Sequence, residues 1–144
     1  MRWSSRGWTP IATGSGGSRK GGRMKDTEVD NVFSGLNAMA ECVLATARSK
    51  GWHTKPATLE ELPRYLMNLH AEISELWEAW RRGTLGNMSD HAELCLSQFE
   101  EELADILIRA LDLGAMFGLD LEHAVRSKDS YNGQRAYRHG GKLA

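Results

Sequence analysis

Glu72-Ile73-Ser74-Glu75-Leu76-Trp77-Glu78-Ala79-Trp80 and, further along, Glu102-Leu103-Ala104-Asp105-Ile106-Leu107 decide how this chain folds. Each stretch carries two carboxylates three residues apart. On an α-helix that spacing puts both on one face, with about 5–6 Å between Cβ atoms. The apolar residues recur at three- and four-residue steps around them, the pattern of an amphipathic helix rather than a strand. Leu66, Leu69, Ile73, Leu76 and Trp80 make the expected core stripe of the first helix. Glu72 falls at its edge, Glu75 just beyond it, and Glu78 faces away. Two such helices side by side can bring four carboxylates to one point. Like charges at that density repel unless a cation sits among them, and a hard divalent ion with oxygen ligands suits the donors.

Working outward, the spacing predicts four helices, over about 29–49, 63–82, 90–117 and 120–137. Val32, Phe33, Leu36, Met39, Ala40, Val43, Leu44 and Ala47 give the first its buried stripe, and Gly51 ends it. Pro63 suits the first turn of the second helix, after a short turn capped by Thr58, and Gly83 stops it. Gly83, Gly86 and Asn87 break the chain before Ser89 or Asp90 caps the third, whose inward positions are Leu103, Ile106, Leu107, Ala110, Leu111 and Gly114. Glu102, Asp105 and Arg109 share a flank beside that stripe. Gly118 closes this helix, Asp120 caps the fourth, and Leu121, Ala124 and Val125 turn inward. No stretch reads as a strand and no internal repeat occurs. The fold class is all-α.

The 144 residues suffice for one domain of three or four helices. Net charge is −1 but uneven: Arg2, Arg6, Arg19, Lys20, Arg23 and Lys25 meet no acid within residues 1–25, which leaves twelve basic against nineteen acidic residues beyond, a net of −7. The first 25 residues also hold six of the fifteen glycines. Such a segment cannot bury enough apolar surface to offset its ordering entropy, so 1–25 is expected to be a disordered basic Gly/Ser-rich tail and 26–144 the folded domain. An equally plain reading makes Met24 the start. The acidic body argues against nucleic acid as a partner. Cys42 and Cys95 lack metal-type spacing and read as reduced thiols of a cytoplasmic protein. No apolar run approaches a membrane span.

Several features are set aside. Gly14-Ser15-Gly16-Gly17 has neither the strand nor the Gly-Lys-Ser/Thr of a phosphate loop. His70 lies about 160° from Glu72 around the helix and is no co-ligand. Asp120-x-x-His123 is a single acid-x-x-His pair where a di-iron bundle needs two Glu-x-x-His motifs. Lys128, Asn132, Arg135 and Lys142, by contrast, gather donors and positive charge at the end of the chain, the first three on one helix face. Carboxylates for a divalent ion and basic groups for phosphate oxygens are the parts phosphoryl chemistry needs. Trp52 is a candidate to stack on a nucleobase, with an interface or buried role as its plainer reading.

Glu72-x-x-Glu75, twenty-six residues, then Glu102-x-x-Asp105 resembles the signature of the all-α nucleoside triphosphate pyrophosphohydrolases of the MazG-like group. The Lys50-Gly51-Trp52 turn, the run Leu103 to Arg109, and Lys128-x-x-Tyr131-Asn132-x-x-Arg135 followed by His139-Gly140-Gly141-Lys142 are similar to it too. The likeness covers about residues 30–142. It implies a four-helix MazG-like bundle assembling as a dimer or dimer of dimers, and hydrolysis of a (deoxy)nucleoside triphosphate to the monophosphate and pyrophosphate, as in cleaning of the nucleotide pool. It implies that Glu72, Glu75, Glu102 and Asp105 hold Mg2+, with Mn2+ able to substitute, and that Lys128, Asn132 and Arg135 hold the triphosphate, with Tyr131 and Lys142 as secondary candidates. Glu75 is the candidate base. The competing reading is a non-catalytic helical module that binds nucleotides or a protein. The apolar faces, with Trp77 and Trp80, exceed what one thin bundle hides and point to self-association. The sequence does not name the nucleobase.

Overall fold

The computed structural model describes residues 35–136. The expected tail at 1–25, the start of the first expected helix and Lys142 lie outside the described residues. Within them the chain is all-α: α1 Leu36–Ser49, α2 Leu62–Arg81, α3 Gln98–Met116 and α4 Leu121–Gly133, with one 3-10 turn at Ala92–Leu94. The sole pairing outside helices among the described residues is an isolated antiparallel bridge between Met88 and Ser97. No described helix is long and apolar enough to cross a membrane. The described residues fall into two compact units, 58–110 and, together, 35–57 with 111–136.

The first unit is α2, the connection after it, and α3 as far as Ala110. Thr58 and Glu61 form the turn ahead of α2, with the Glu61 carboxylate accepting from the Thr58 N–H at 3.3 Å. The helix ends at Gly83, whose φ of +69° only glycine adopts without strain. There the Thr84 N–H reaches back to the Ala79 carbonyl at 3.0 Å, the six-to-one closure of a Schellman end. The same closure ends α1 (Trp52 N–H to Ala47) and α3 (Leu119 N–H to Gly114).

The third helix begins eight residues later than the spacing predicts. Ser97-x-x-Glu100 is a capping box: the Glu100 carboxylate accepts from the Ser97 N–H at 2.9 Å, and the Glu100 N–H donates to the Ser97 hydroxyl at 3.3 Å. Ahead of it the Ser89 N–H bonds the Leu96 carbonyl, and Cys95 sits at φ +54°, so 88–97 folds back on itself instead of extending a helix. The side chain of Thr84 donates to Gln98 Oε1 at 2.7 Å, and the Gln98 and Phe99 N–H groups bond the Asn87 and Leu85 carbonyls. The connection is thereby tied to the start of α3.

Helix faces also differ from expectation. On α2 the covered positions are Leu62, Tyr65, Leu69, Glu72, Leu76 and Ala79, a 3-4-3-4-3 seam, together with Glu78 beside its end. Leu66, Ile73 and Trp80, expected in the core, are exposed, as is Trp77, whose ring stacks on Trp80 at 4.6 Å. On α3 the exposed side includes Leu103, Leu107 and Ala110, while Ile106 is half-buried. The seam therefore runs along the flank of each apolar stripe and not down its middle.

In the second unit, α1 buries Ala40 and Leu44. Its start is stitched to that of α4: Asn37 Oδ1 accepts from the Leu121 N–H at 2.9 Å, Asn37 Nδ2 donates to Asp120 at 2.9 Å, and Glu122 accepts from the Gly35 N–H at 2.7 Å. Asp120 caps α4 through the His123 N–H, as its sequence position predicts. Gly35, at φ +96°, is the N-cap of α1. The fourth helix stops at Gly133, short of the expected 137, and Ala124 and Val125 are exposed. Asp112, buried, pairs with His53 Nε2 at 2.7 Å. A Cβ on Gly114 would lie 2.5 Å from Leu121 Cδ1 and 2.9 Å from its Cγ, so the whole isobutyl group must move. Gly114→Ala is expected to destabilise the protein by about 1–3 kcal/mol in denaturant unfolding, against the usual gain for alanine in a helix.

Candidate metal centre

The seam of α2 sets Glu72 between Leu69 and Leu76, a position that an apolar residue would ordinarily take, and Glu72 is 9 % exposed. On α3, Glu101, Glu102 and Asp105 are half-buried. One ligand oxygen each from Glu72, Glu102 and Asp105 lies within 4.8 Å of the other two. Around one octahedral magnesium ion with bonds of about 2.1 Å, adjacent oxygens stand about 3.0 Å apart and opposite ones about 4.2 Å, so the three would have to draw together by about 1–2 Å to share one ion. Three carboxylates with no thiol or imidazole among them suit magnesium, manganese or calcium better than zinc.

The electrostatics agree with the donor chemistry. Burial, then the charges of Glu75 and Asp105, push the Glu102 carboxyl above its ordinary value of 4.5. Burial and the charge of Glu72 raise Asp105 above 3.8, against a smaller opposing pull from Arg109. The cluster thus carries more negative charge than its own cation offsets. That cation is Arg109, whose Nε donates to Glu72 Oε1 at 2.8 Å.

Of the four carboxylates expected to converge, three do. Glu75 lies outside the 4.8 Å set, because three residues along a helix is a 300° rotation and carries it round from the seam. It lines a cleft of about 390 Å³ next to Glu102, with Ser74 and Glu78 also from α2, Arg82 at its C-cap, Gln98 and Glu101 from α3, and Thr84 and Asp90 from the connection. Glu78, expected to face away, is half-buried and lines this cleft.

Sequence reasoning missed the role of the connection. Ser89 is buried and its hydroxyl accepts from the His91 N–H at 2.9 Å, while His91 Nδ1 meets Glu101 Oε1 at 2.6 Å. A hydrogen bond from Ser89, then one from His91, hold Glu101 below the ordinary carboxyl range, and the bond to Glu101 raises His91. The Ser97-x-x-Glu100 box was the available signal for where this connection ends. Arg109 was legible as sharing the flank of Asp105, but nothing local tied it to Glu72, thirty-seven residues earlier.

The expected substrate contacts belong to the second unit. Lys128, Tyr131 and Asn132 are exposed on α4, with Lys128 Nζ 5.0 Å from the centre of the Tyr131 ring. Arg135 lies beyond the end of α4 and so does not extend the helical face of Lys128 and Asn132. Trp52, in the connection after α1, is 66 % exposed. Lys142 lies outside the described residues. The chain matches no family model, no curated protein and no solved structure.

Glu102 and Asp105 bind their protons more tightly folded than unfolded. The stabilisation this gives is complete below their ordinary values and is lost as pH rises through the raised ones. In chelating buffer, Glu102→Gln should therefore gain on the wild type as pH climbs from about 4 to about 7, reaching a melting temperature about 1–3 °C higher. A gap that does not widen with pH would contradict the charge assignment.

Proposed function

We propose that the first unit carries the metal centre of a magnesium-dependent nucleoside triphosphate pyrophosphohydrolase of the MazG-like kind. The observation that supports this most is the convergence of Glu72, Glu102 and Asp105 from two helices within 4.8 Å, one of them at a buried seam position. The order of the acidic motifs and of the Lys128 to Lys142 segment in the sequence supports the triphosphate as substrate.

Bound magnesium supplies charge neutralisation and Lewis-acid activation of water. Glu72 of α2 and Glu102 and Asp105 of α3 would hold it. Glu75 stands beside Glu102 on the cleft and takes the proton of the attacking water. Oxygen adds to the α-phosphorus, the bond from that phosphorus to the bridging oxygen breaks, and the nucleoside monophosphate and pyrophosphate leave. Lys128, Asn132, Arg135, Tyr131 and Lys142 contact the polyphosphate in this proposal, and Trp52 the base. Manganese substitutes for magnesium, and we assign the activity to the cytoplasm, where nucleotide pools turn over.

Assay against a panel of ordinary and damaged triphosphates should give monophosphate and pyrophosphate, abolished by chelator. Glu75→Gln should cut kcat by about 100-fold or more while leaving metal affinity within a few-fold. No turnover on any triphosphate with magnesium or manganese would remove the proposal in favour of a non-catalytic helical module.

We further propose that the protein is a homodimer or homotetramer. Leu66, Ile73, Trp77 and Trp80 on α2 and Leu103 and Leu107 on α3 all stand exposed, a larger apolar surface than a monomer ordinarily leaves in water. Sedimentation should report a dimer or larger. Leu107→Glu should dissociate it or weaken it at least about tenfold, since a buried carboxylate without a partner costs several kcal/mol.

A further inference from the structure

Three basic side chains of the first unit, Arg82, His91 and Arg109, stand near the carboxylates. Arg82 lines the cleft but pairs with Glu78 at 3.8 Å on the same helix, and His91 is held by Glu101. Only Arg109 bonds a candidate ligand directly, through Nε to Glu72 Oε1. Its side chain is 48 % exposed while that of Glu72 is 12 % exposed, so the carboxylate is fixed and the guanidinium has room to move. Among the described residues neither terminal nitrogen of Arg109 has a hydrogen-bond partner in the protein, which leaves open the pair of N–H groups that fork onto a phosphate or carboxylate.

A divalent ion and a guanidinium on the same carboxylate oppose each other. With a metal–oxygen bond of about 2.1 Å, about 2.2 Å between the two oxygens of a carboxylate and the 2.8 Å bond of Arg109, the two positive groups would stand within about 5–7 Å, close enough to repel. Asp105, four residues before Arg109 on the same flank, also feels its charge. Arriving metal therefore weakens the hold of Glu72 on Arg109, and the side chain is left beside an ion whose substrate brings several phosphate oxygens.

We infer that Arg109 is an exchangeable counter-ion, competing with the divalent ion for Glu72 and, once displaced, donating its fork to the substrate's polyphosphate. This rests on the metal centre proposed above and adds a phosphate contact that belongs to the first unit itself. It makes metal and triphosphate binding mutually reinforcing: the ion frees the arginine, and the phosphates give the freed arginine a partner.

Nitrogen-15 spectra of the full chain report the Arg109 Nε–H group directly, assigned by its loss in Arg109→Lys. Magnesium alone should shift this signal and speed its exchange with water by about tenfold, and magnesium with a triphosphate analogue non-hydrolysable between α and β should restore protection. In Arg109→Gln, manganese affinity should rise about threefold to tenfold while analogue affinity at saturating magnesium falls about tenfold. Arg109→Lys, which keeps the charge but loses the fork, should recover only part of this, with analogue affinity about threefold to fivefold below the wild type. If the wild type binds manganese but the Nε–H signal ignores magnesium, or Arg109→Gln keeps full analogue affinity, the exchange is wrong and the metal centre stands. If the wild type binds no divalent ion, the metal centre falls and the exchange with it.

Discussion

The carboxylate of Glu72 at a seam position of α2 constrains the rest of the first unit. A charged group taken from water without a partner costs several kcal/mol, so its surroundings have to answer it. Part of the answer is the 2.8 Å bond from Arg109. One arginine cannot also serve Glu102 and Asp105, which converge on the same point and titrate above their ordinary values. An apolar residue at position 72 would pack better and need no counter-ion. Keeping an acid there sacrifices stability for a concentrated negative site, which is the arrangement expected where a cation has work to do.

A second consequence follows from geometry. If the flank carrying the acids is the covered one, the middle of each apolar stripe turns elsewhere, and it does: Leu66, Ile73, Trp77, Leu103 and Leu107 are all exposed. Among the described residues the buried hydrophobic set is Ala40, Leu44, Ala79 and Leu111, with no large side chain fully enclosed. The acidic seam and the apolar exterior are two results of the same choice of rotation.

The sequence made the helices legible because their periodicity is strong, and the acidic pairs legible because their spacing is local. It misjudged rotation. A stripe that holds Leu66, Leu69, Ile73, Leu76 and Trp80 is wider than one contact, and periodicity alone does not say which part of it meets a neighbour in the same chain. An element end went astray where a local bond outweighed pattern: the Ser97–Glu100 box delays α3. The Glu72–Arg109 and His53–Asp112 pairs were beyond reach, since nothing in either local stretch names its distant partner.

Three consecutive glutamates show how finely the fold sorts the same chemistry. Each step along α3 rotates by about 100°, so Glu100, Glu101 and Glu102 meet different surroundings. Glu100 closes the capping box, and bonds from the Ser97 N–H and then its hydroxyl hold its carboxyl low. Glu101 takes donors from Ser89 and His91 of the connection and is also held low. Glu102 meets no such donors; burial and the charges of Glu75 and Asp105 raise it. Two of the three are answered by the protein's own hydrogen bonds and contribute to its structure. The third is grouped with Glu72 and Asp105 and takes no such donor, which separates a candidate ligand from its neighbours on physical grounds where residue type alone does not.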